Sequence, residues 1–221
     1  MKTEMLPLFV VMGLPFSTSA KVNQRIERNV LSSLKPYKPH VINPDLQHTS
    51  PDILAEQYRD EIITRAEKQG PQGIIAVSGS TPVMLAAVRD LGPQYVAKFV
   101  GIAGAVDLGD KLPEPLDLRL KTGAPALWDF IETYRTMIHP ELRTRVLAPT
   151  LSLYSPRDDS IPPVMSITWA DENIPIWLPP LPFKPERGIR HGLTIVRGLH
   201  HRSLRTYMQK TDQPINASVR D

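Results

Sequence analysis

The fold is decided by residues 73–88, whose sequence is GIIAVSGSTPVMLAAV. A glycine and four apolar residues open this stretch, which indicates a strand that is covered on both faces of a sheet. The tight turn SGST follows, and Pro82 then begins a segment that is apolar on nearly all sides. We therefore predict a buried strand, a sharp turn and a central buried helix, in that order.

The same alternation of strand and helix continues on both sides of this unit. Ser50, followed by Pro51, is a typical N-cap and first residue of one of these helices. Repeated alternation predicts an α/β fold with three layers and about six mostly parallel strands. Besides 73–77, the predicted strands are Leu8–Met12, His40–Asn43, Val96–Ala103, Thr150–Tyr154 and Leu193–Val196.

Length and composition predict one domain, 1–221, without stabilising crosslinks. A chain of 221 residues buries roughly 70% of its unfolded surface when it folds. The absence of cysteine excludes a disulfide framework, a cysteine zinc site and a thiol nucleophile. Residues 107–148 are predicted to form a cap or lid-like insertion, residues 161–190 a proline-rich insertion, and residues 212–221 a flexible tail.

Charge and hydropathy limit the classes of partner. The formal net charge is +3, and no pattern of interleaved aromatic and basic residues accompanies the basic side chains, so nucleic-acid binding is not predicted. The apolar run at 6–12 is too short to span a membrane. It is interpreted as the first strand, with a signal-peptide core as the alternative, and we expect a cytoplasmic protein. A small basic cluster consists of Arg187, Arg190, Arg197, His200, His201, Arg202 and Arg205.

The turn after the central strand carries serines where a nucleophile would be exposed. A strand, a sharp turn with serine at its apex and a buried helix form the layout of a nucleophile elbow, G-x-S-x-G. With Ser80 at the apex, Ser78 and Pro82 occupy the two glycine positions. The helix N-terminus would favour an oxyanion at this point. The alternatives are an ordinary Ser/Gly turn and a phosphate-binding strand–helix junction.

An acid and a base follow later predicted strands. Asp158 and Asp159 come shortly after the strand at 150–154, and His200 and His201 come shortly after the strand predicted at 193–196. A carboxylate can orient a histidine that acts as general base. From the residues alone, either aspartate and either histidine could take these roles. The histidines could instead bind a metal, although no cysteine or clustered carboxylate completes such a site.

Together these motifs resemble the small bacterial lipases and esterases of the α/β-hydrolase superfamily, in which the triad also runs Ser, Asp, His along the chain. The resemblance covers residues 6–209, apart from the two insertions. The loop YSPRD at 154–158, with Ile161 three residues beyond, is similar to the acid loop of that family. The element GLHHRSL at 198–204 is similar to its Gly-x-x-His-x-x-Leu element, with His201 in register. On this resemblance Asp158 and His201 are preferred to their neighbours.

The resemblance implies an α/β-hydrolase fold and a serine esterase with Ser80 as nucleophile, His201 as general base and Asp158 as the orienting acid. It implies an oxyanion hole made by the N–H of Leu14 or Phe16 and of Thr81, a small-molecule ester or acyl substrate, and no cofactor or metal. The family usually has His-Gly in its first loop, whereas this chain keeps only Gly13. An acyltransferase and an inactive binding protein on the same scaffold stay as alternatives, and no oligomeric state is predicted.

Overall fold

The computed structural model describes residues 6–13, 39–45, 48–104, 121–130, 145–167, 169–180 and 189–209, with the single residues 24, 28, 32, 34, 106 and 118. Its strands are β1 (Leu8–Val11), β2 (His40–Ile42), β3 (Gln72–Val77), β4 (Val96–Ile102), β5 (Thr150–Tyr154) and β6 (Glu172–Pro175). Its helices are α1 (Pro51–Gln69), α2 (Ser80–Val88), α3 (Pro163–Ile167), α4 (Ile189–His200) and α5 (Arg202–Tyr207).

The six described strands form one sheet in the order β2-β1-β3-β4-β5-β6, and all neighbouring pairs are parallel. The predicted α/β class with parallel strands is confirmed. Strand β3, which contains the predicted buried strand at 73–77, lies between β1 and β4 and is therefore central in the sheet. The carboxyl ends of all six strands meet at one edge, which is where sites in such sheets form.

Side chains of successive strand residues point to opposite faces and create two apolar cores. One core contains Phe9, Ile74 and Phe99 together with residues of α1 and α2. The other contains the next residue of each strand and residues of α4 and α5. Helices therefore cover both faces of the sheet, which gives the three predicted layers.

The strand predicted at Leu193–Val196 is wrong, because these residues lie inside helix α4. A stretch of four residues, LTIV, is too short to distinguish a strand from part of a helix. The inward-facing residues of α4 repeat with helical spacing, and Gly198 lets the helix pack against β4, since a Cβ there would lie 2.5 Å from Ile102 Cγ2. The sixth strand is instead β6, a short edge strand in the proline-rich segment. The buried residues of α4 are His191, Thr194, Ile195, Gly198 and Leu199.

The two predicted insertions are described in part. In 107–148 the structure describes residues 118, 121–130 and 145–148; residues 125–130 are helical, and Leu127 and Phe130 are buried against the α1–α2 core. In 161–190, α3 and β6 are described, and residues 181–188 are not. Most of the predicted cap and the predicted tail at 212–221 lie outside the described residues.

Candidate active site

Ser78 follows directly on β3 and has an unusual backbone conformation. Its φ of 55° lies in the left-handed region, which costs a non-glycine residue about 1–3 kcal/mol and is often found at functional sites. Its N–H still donates to the Ile102 carbonyl oxygen at 2.9 Å, so the turn begins at the end of the β3–β4 ladder. Helix α2 begins two residues later, at Ser80. Ser78 is therefore the apex of the strand–turn–helix unit.

The end of β1 passes close to this apex. A Cβ on Gly13 would lie 2.7 Å from the Val77 carbonyl oxygen and 2.8 Å from Ser78 Cβ. Both distances are below any real Cβ contact, so only glycine allows this approach. Glycine is therefore required at position 13, where the backbone lies directly beside Ser78.

A chain of two hydrogen bonds joins Ser78 to Asp158 through His191. Ser78 Oγ lies 2.9 Å from His191 Nε2, and His191 Nδ1 lies 2.9 Å from Asp158 Oδ2. A proton on Nδ1 is donated to the carboxylate, which leaves Nε2 free to accept from the serine hydroxyl. The Asp158 side chain is 1% exposed and the His191 side chain 11% exposed, so only the serine end approaches solvent.

Asp158 is held as a charged acceptor. Its Oδ1 accepts from the N–H groups of Ser160 and Ile161, each at 2.9 Å. Burial alone would raise the pKa of the Asp158 carboxyl, but the hydrogen bond and charge of His191, with these two N–H groups, outweigh it and hold the pKa below its ordinary value. Asp158 therefore stays ionised at neutral pH, as an orienting acid must.

Asp159 has a different set of partners from Asp158. Its Oδ1 accepts from the His191 N–H at 3.1 Å, and its Oδ2 accepts from the Arg190 N–H at 3.3 Å. The two adjacent aspartates therefore both reach His191, one through the ring and the other through the backbone.

The structure does not bring the predicted nucleophile Ser80 to Asp158. Ser80 is fully buried, and its Oγ lies 2.9 Å from the carbonyl oxygens of both Val11 and Val77. It also accepts from the Val77 N–H at 3.0 Å. This hydroxyl connects the ends of β1 and β3. With Ser78 at the apex, the small residues Ala76 and Ser80 occupy the two glycine positions of the motif, a pattern that the sequence contained.

The structure also separates His201 from the site. His201 is the N-cap of α5, and its Nδ1 accepts from the Ser203 N–H at 3.3 Å. It follows the C-terminal end of α4, whereas His191 lies in the first turn, about 15 Å away at 1.5 Å per residue. His191 is not found from the sequence, because residues 193–196 are interpreted there as a strand and the base is expected in the loop after that strand. The sequence did contain a usable pattern, since His191 is the first of the residues, spaced three or four apart, that are buried on one side of α4.

The predicted oxyanion donors are placed only in part. The Thr81 N–H donates to the Ser78 carbonyl oxygen at 3.1 Å and is therefore used within the turn. With Ser78 at the apex, the residue that follows it is Gly79, the N-cap of α2. The other predicted donors, Leu14 and Phe16, lie outside the described residues.

Within the described ranges, no group of three or more His, Cys, Asp or Glu side chains is placed to hold a metal ion. In that same part of the chain, none of the helices is both long and apolar enough to cross a membrane. The expectations that the chain needs no metal and no cofactor stay predictions.

No protein-family model matches the chain, and no curated protein matches its sequence. Among solved structures, it is similar to a lipase-esterase related protein from Clostridium acetobutylicum ATCC 824, with a TM-score of 0.57, 12% identity and coverage of 88% of this chain and 91% of that chain. It is also similar to a structure from work on the metagenome-derived lipolytic enzymes LipS and LipT, with a TM-score of 0.51, 17% identity and coverage of 80% and 84%. The chain therefore has the α/β-hydrolase fold, as the resemblance implied.

Proposed function

We propose that the chain is a serine hydrolase of carboxylic esters in which Ser78 is the nucleophile, His191 the general base and Asp158 the orienting acid. The observation that carries the proposal is the pair of 2.9 Å contacts that joins these three side chains at a strained apex. The order of the three residues along the chain is that of α/β-hydrolases. The fold shared with lipase- and esterase-related structures supports the same class of reaction.

In the first half of the reaction, Ser78 Oγ attacks the acyl carbon of the ester while His191 Nε2 takes the hydroxyl proton. The ionised Asp158 accepts from His191 Nδ1 and stabilises the imidazolium that forms. His191 then gives its proton to the leaving alcohol, and Ser78 carries the acyl group. Water attacks this acyl-enzyme with His191 again as base, which releases the acid and restores Ser78.

The negative charge on the attacked oxygen needs two N–H donors near Ser78. We assign one to Gly79, because the residue after the nucleophile is the usual donor in this fold. Gly13 itself lies beside Ser78 at the end of β1. We assign the second donor to a residue that follows Gly13 in sequence, with Leu14 or Phe16 as the predicted donor, and Gly79 replaces Thr81.

The helical residues 125–130 are proposed to border the acyl group. Leu127 is fully buried, and its Cδ2 would lie only 3.1 Å from a Cβ on Gly79, so it packs directly over the residue that follows the nucleophile. The predicted cap insertion thus contributes an apolar side chain next to the apex. This position favours a small-molecule ester with an apolar acyl group.

The test is labelling with a fluorophosphonate probe, which reacts with activated serines, followed by mass spectrometry of the modified peptide. We expect modification of Ser78 in the wild type and none in Ser78→Ala. The matched control is Ser80→Ala, which should keep the label on Ser78 if circular dichroism shows it folded. Labelling at Ser80 would overturn the assignment, and folded wild type that takes no label would favour an inactive binding protein. Products formed with a competing alcohol or amine distinguish hydrolysis from acyl transfer.

A further inference from the structure

Helix α4 is described from Ile189, and its first turn carries His191. The N–H groups of the second and third helical residues are those that an N-cap side chain normally satisfies. In α4 these residues are Arg190 and His191.

Asp159, in the loop after β5, accepts from both of these N–H groups. Its two carboxylate oxygens accept from the N–H of Arg190 at 3.3 Å and from the N–H of His191 at 3.1 Å. A negative charge at this end of a helix also interacts favourably with the helix dipole. The loop between β5 and α3 therefore fastens the start of α4 although some 30 residues separate them in sequence.

The two adjacent aspartates fix His191 at two points. Asp158 binds the ring through Nδ1, and Asp159 binds the backbone of the same residue. A ring held only at Nδ1 could move with its helix, whereas a ring whose backbone is also fastened to the acid loop keeps its distance to Ser78. An error of about 1 Å at such a site can cost roughly 100-fold in rate.

We propose that Asp159 is a positioning residue, which caps α4 and thereby keeps His191 in line with Asp158 and Ser78. This inference rests on the proposed function for its effect on rate. It adds a role for the second aspartate, and it predicts an effect on the geometry of His191 that can be measured without turnover.

The chain offers a matched control in Asp171, near the start of β5. Asp171 Oδ2 accepts from the Thr150 N–H and from Thr150 Oγ1, each at 2.9 Å. Like Asp159, it binds a backbone N–H near one end of β5, but none of its described hydrogen bonds is with Ser78, His191 or Asp158. Asp171→Ala therefore reports what losing such a carboxylate does to stability alone.

The experiment compares the fluorophosphonate labelling rate at Ser78 in wild type, Asp159→Ala, Asp159→Asn and Asp171→Ala, across pH. We expect Asp159→Ala to label about 10- to 100-fold more slowly with an altered pH profile. Asp159→Asn, which keeps one acceptor oxygen, should be intermediate, and it also serves if the alanine variant does not fold. Asp171→Ala should label within about twofold of wild type, since it leaves the geometry around His191 intact.

A second readout is the ring N–H resonance of His191 in NMR spectra, assigned by its loss in His191→Gln. We expect this resonance to shift or broaden in both Asp159 variants and to stay unchanged in Asp171→Ala. If wild type takes no label but the resonance responds as expected, the proposed function fails and the positioning role stands. If folded Asp159→Ala keeps both the wild-type resonance and the wild-type labelling rate, the positioning role is overturned.

Discussion

Two serines and two histidines are candidates for the same chemistry, and the members of each pair differ in what their side chains bind. Ser78 and His191 bind each other and, through the ring, Asp158. Ser80 and His201 bind backbone groups instead, across the ends of β1 and β3 and at the start of α5. A hydroxyl or imidazole is available for chemistry only where the surrounding backbone does not already use it. Residue type and rough position are thus not enough to identify a site.

The largest effect should separate the two histidines. Replacing His191 with Gln removes the proposed base and should lower kcat/KM for ester hydrolysis by about 10,000-fold or more, as loss of a triad histidine does. Replacing His201 with Gln should leave kcat/KM within about twofold and cost about 1 kcal/mol of stability, because only a helix cap is lost. Assays with a p-nitrophenyl ester and urea unfolding of both variants measure the two quantities. Equal loss of activity in the two variants would contradict the proposal that His191, and not His201, is the base.

A smaller effect should separate the two serines by stability. Ser80→Ala removes a buried hydroxyl that binds backbone groups at the ends of β1 and β3, and should cost about 1–3 kcal/mol of unfolding free energy. Ser78→Ala should change the unfolding free energy little, because Ser78 is partly exposed and its hydroxyl binds the His191 ring alone among the described residues. Urea unfolding at neutral pH measures both. A Ser78→Ala variant that is less stable than Ser80→Ala would contradict this comparison.

The smallest effect concerns Asp158, the acid proposed to act with Ser78 and His191. The pKa of Asp158 is lower in the folded chain than its ordinary value of about 3.9. The ionised carboxylate therefore contributes stability that is fully present above that value and is lost as pH falls through the lower folded-state pKa. Urea unfolding of wild type and Asp158→Asn between pH 7 and pH 3 should show a difference that shrinks only at the acidic end. A difference that stays constant to pH 3 would mean that the carboxyl titrates alike in both states.

Most of the sheet could be predicted from sequence, and the exception explains why His201 was expected as the base and His191 was not. Strands β1 to β5 overlap the strands predicted for them. The clearest apolar runs are those of β1 and β3, since strands buried on both faces need such runs. The segment LTIV at 193–196 is also rich in apolar and β-branched residues, but it is one part of a helix that buries every third or fourth residue. Edge strand β6 is short and only partly buried, so it has no apolar run to reveal it.

The sequence by itself determined the class of fold, the strand–turn–helix unit at its centre and, through the resemblance of its acid loop, Asp158 as a candidate acid, because apolar periodicity, turn residues and short motifs are local properties. Tertiary structure alone decided which serine and which histidine meet that acid. Ser78 and Ser80 are two residues apart, and what separates them is the φ of the turn and the position of the β1 end beside it. His191 reaches Ser78 because α4 packs on the sheet with its first turn at the carboxyl edge, where Asp158 and Asp159 bind it. Such contacts join segments far apart in sequence, and their geometry depends on packing that no single segment specifies.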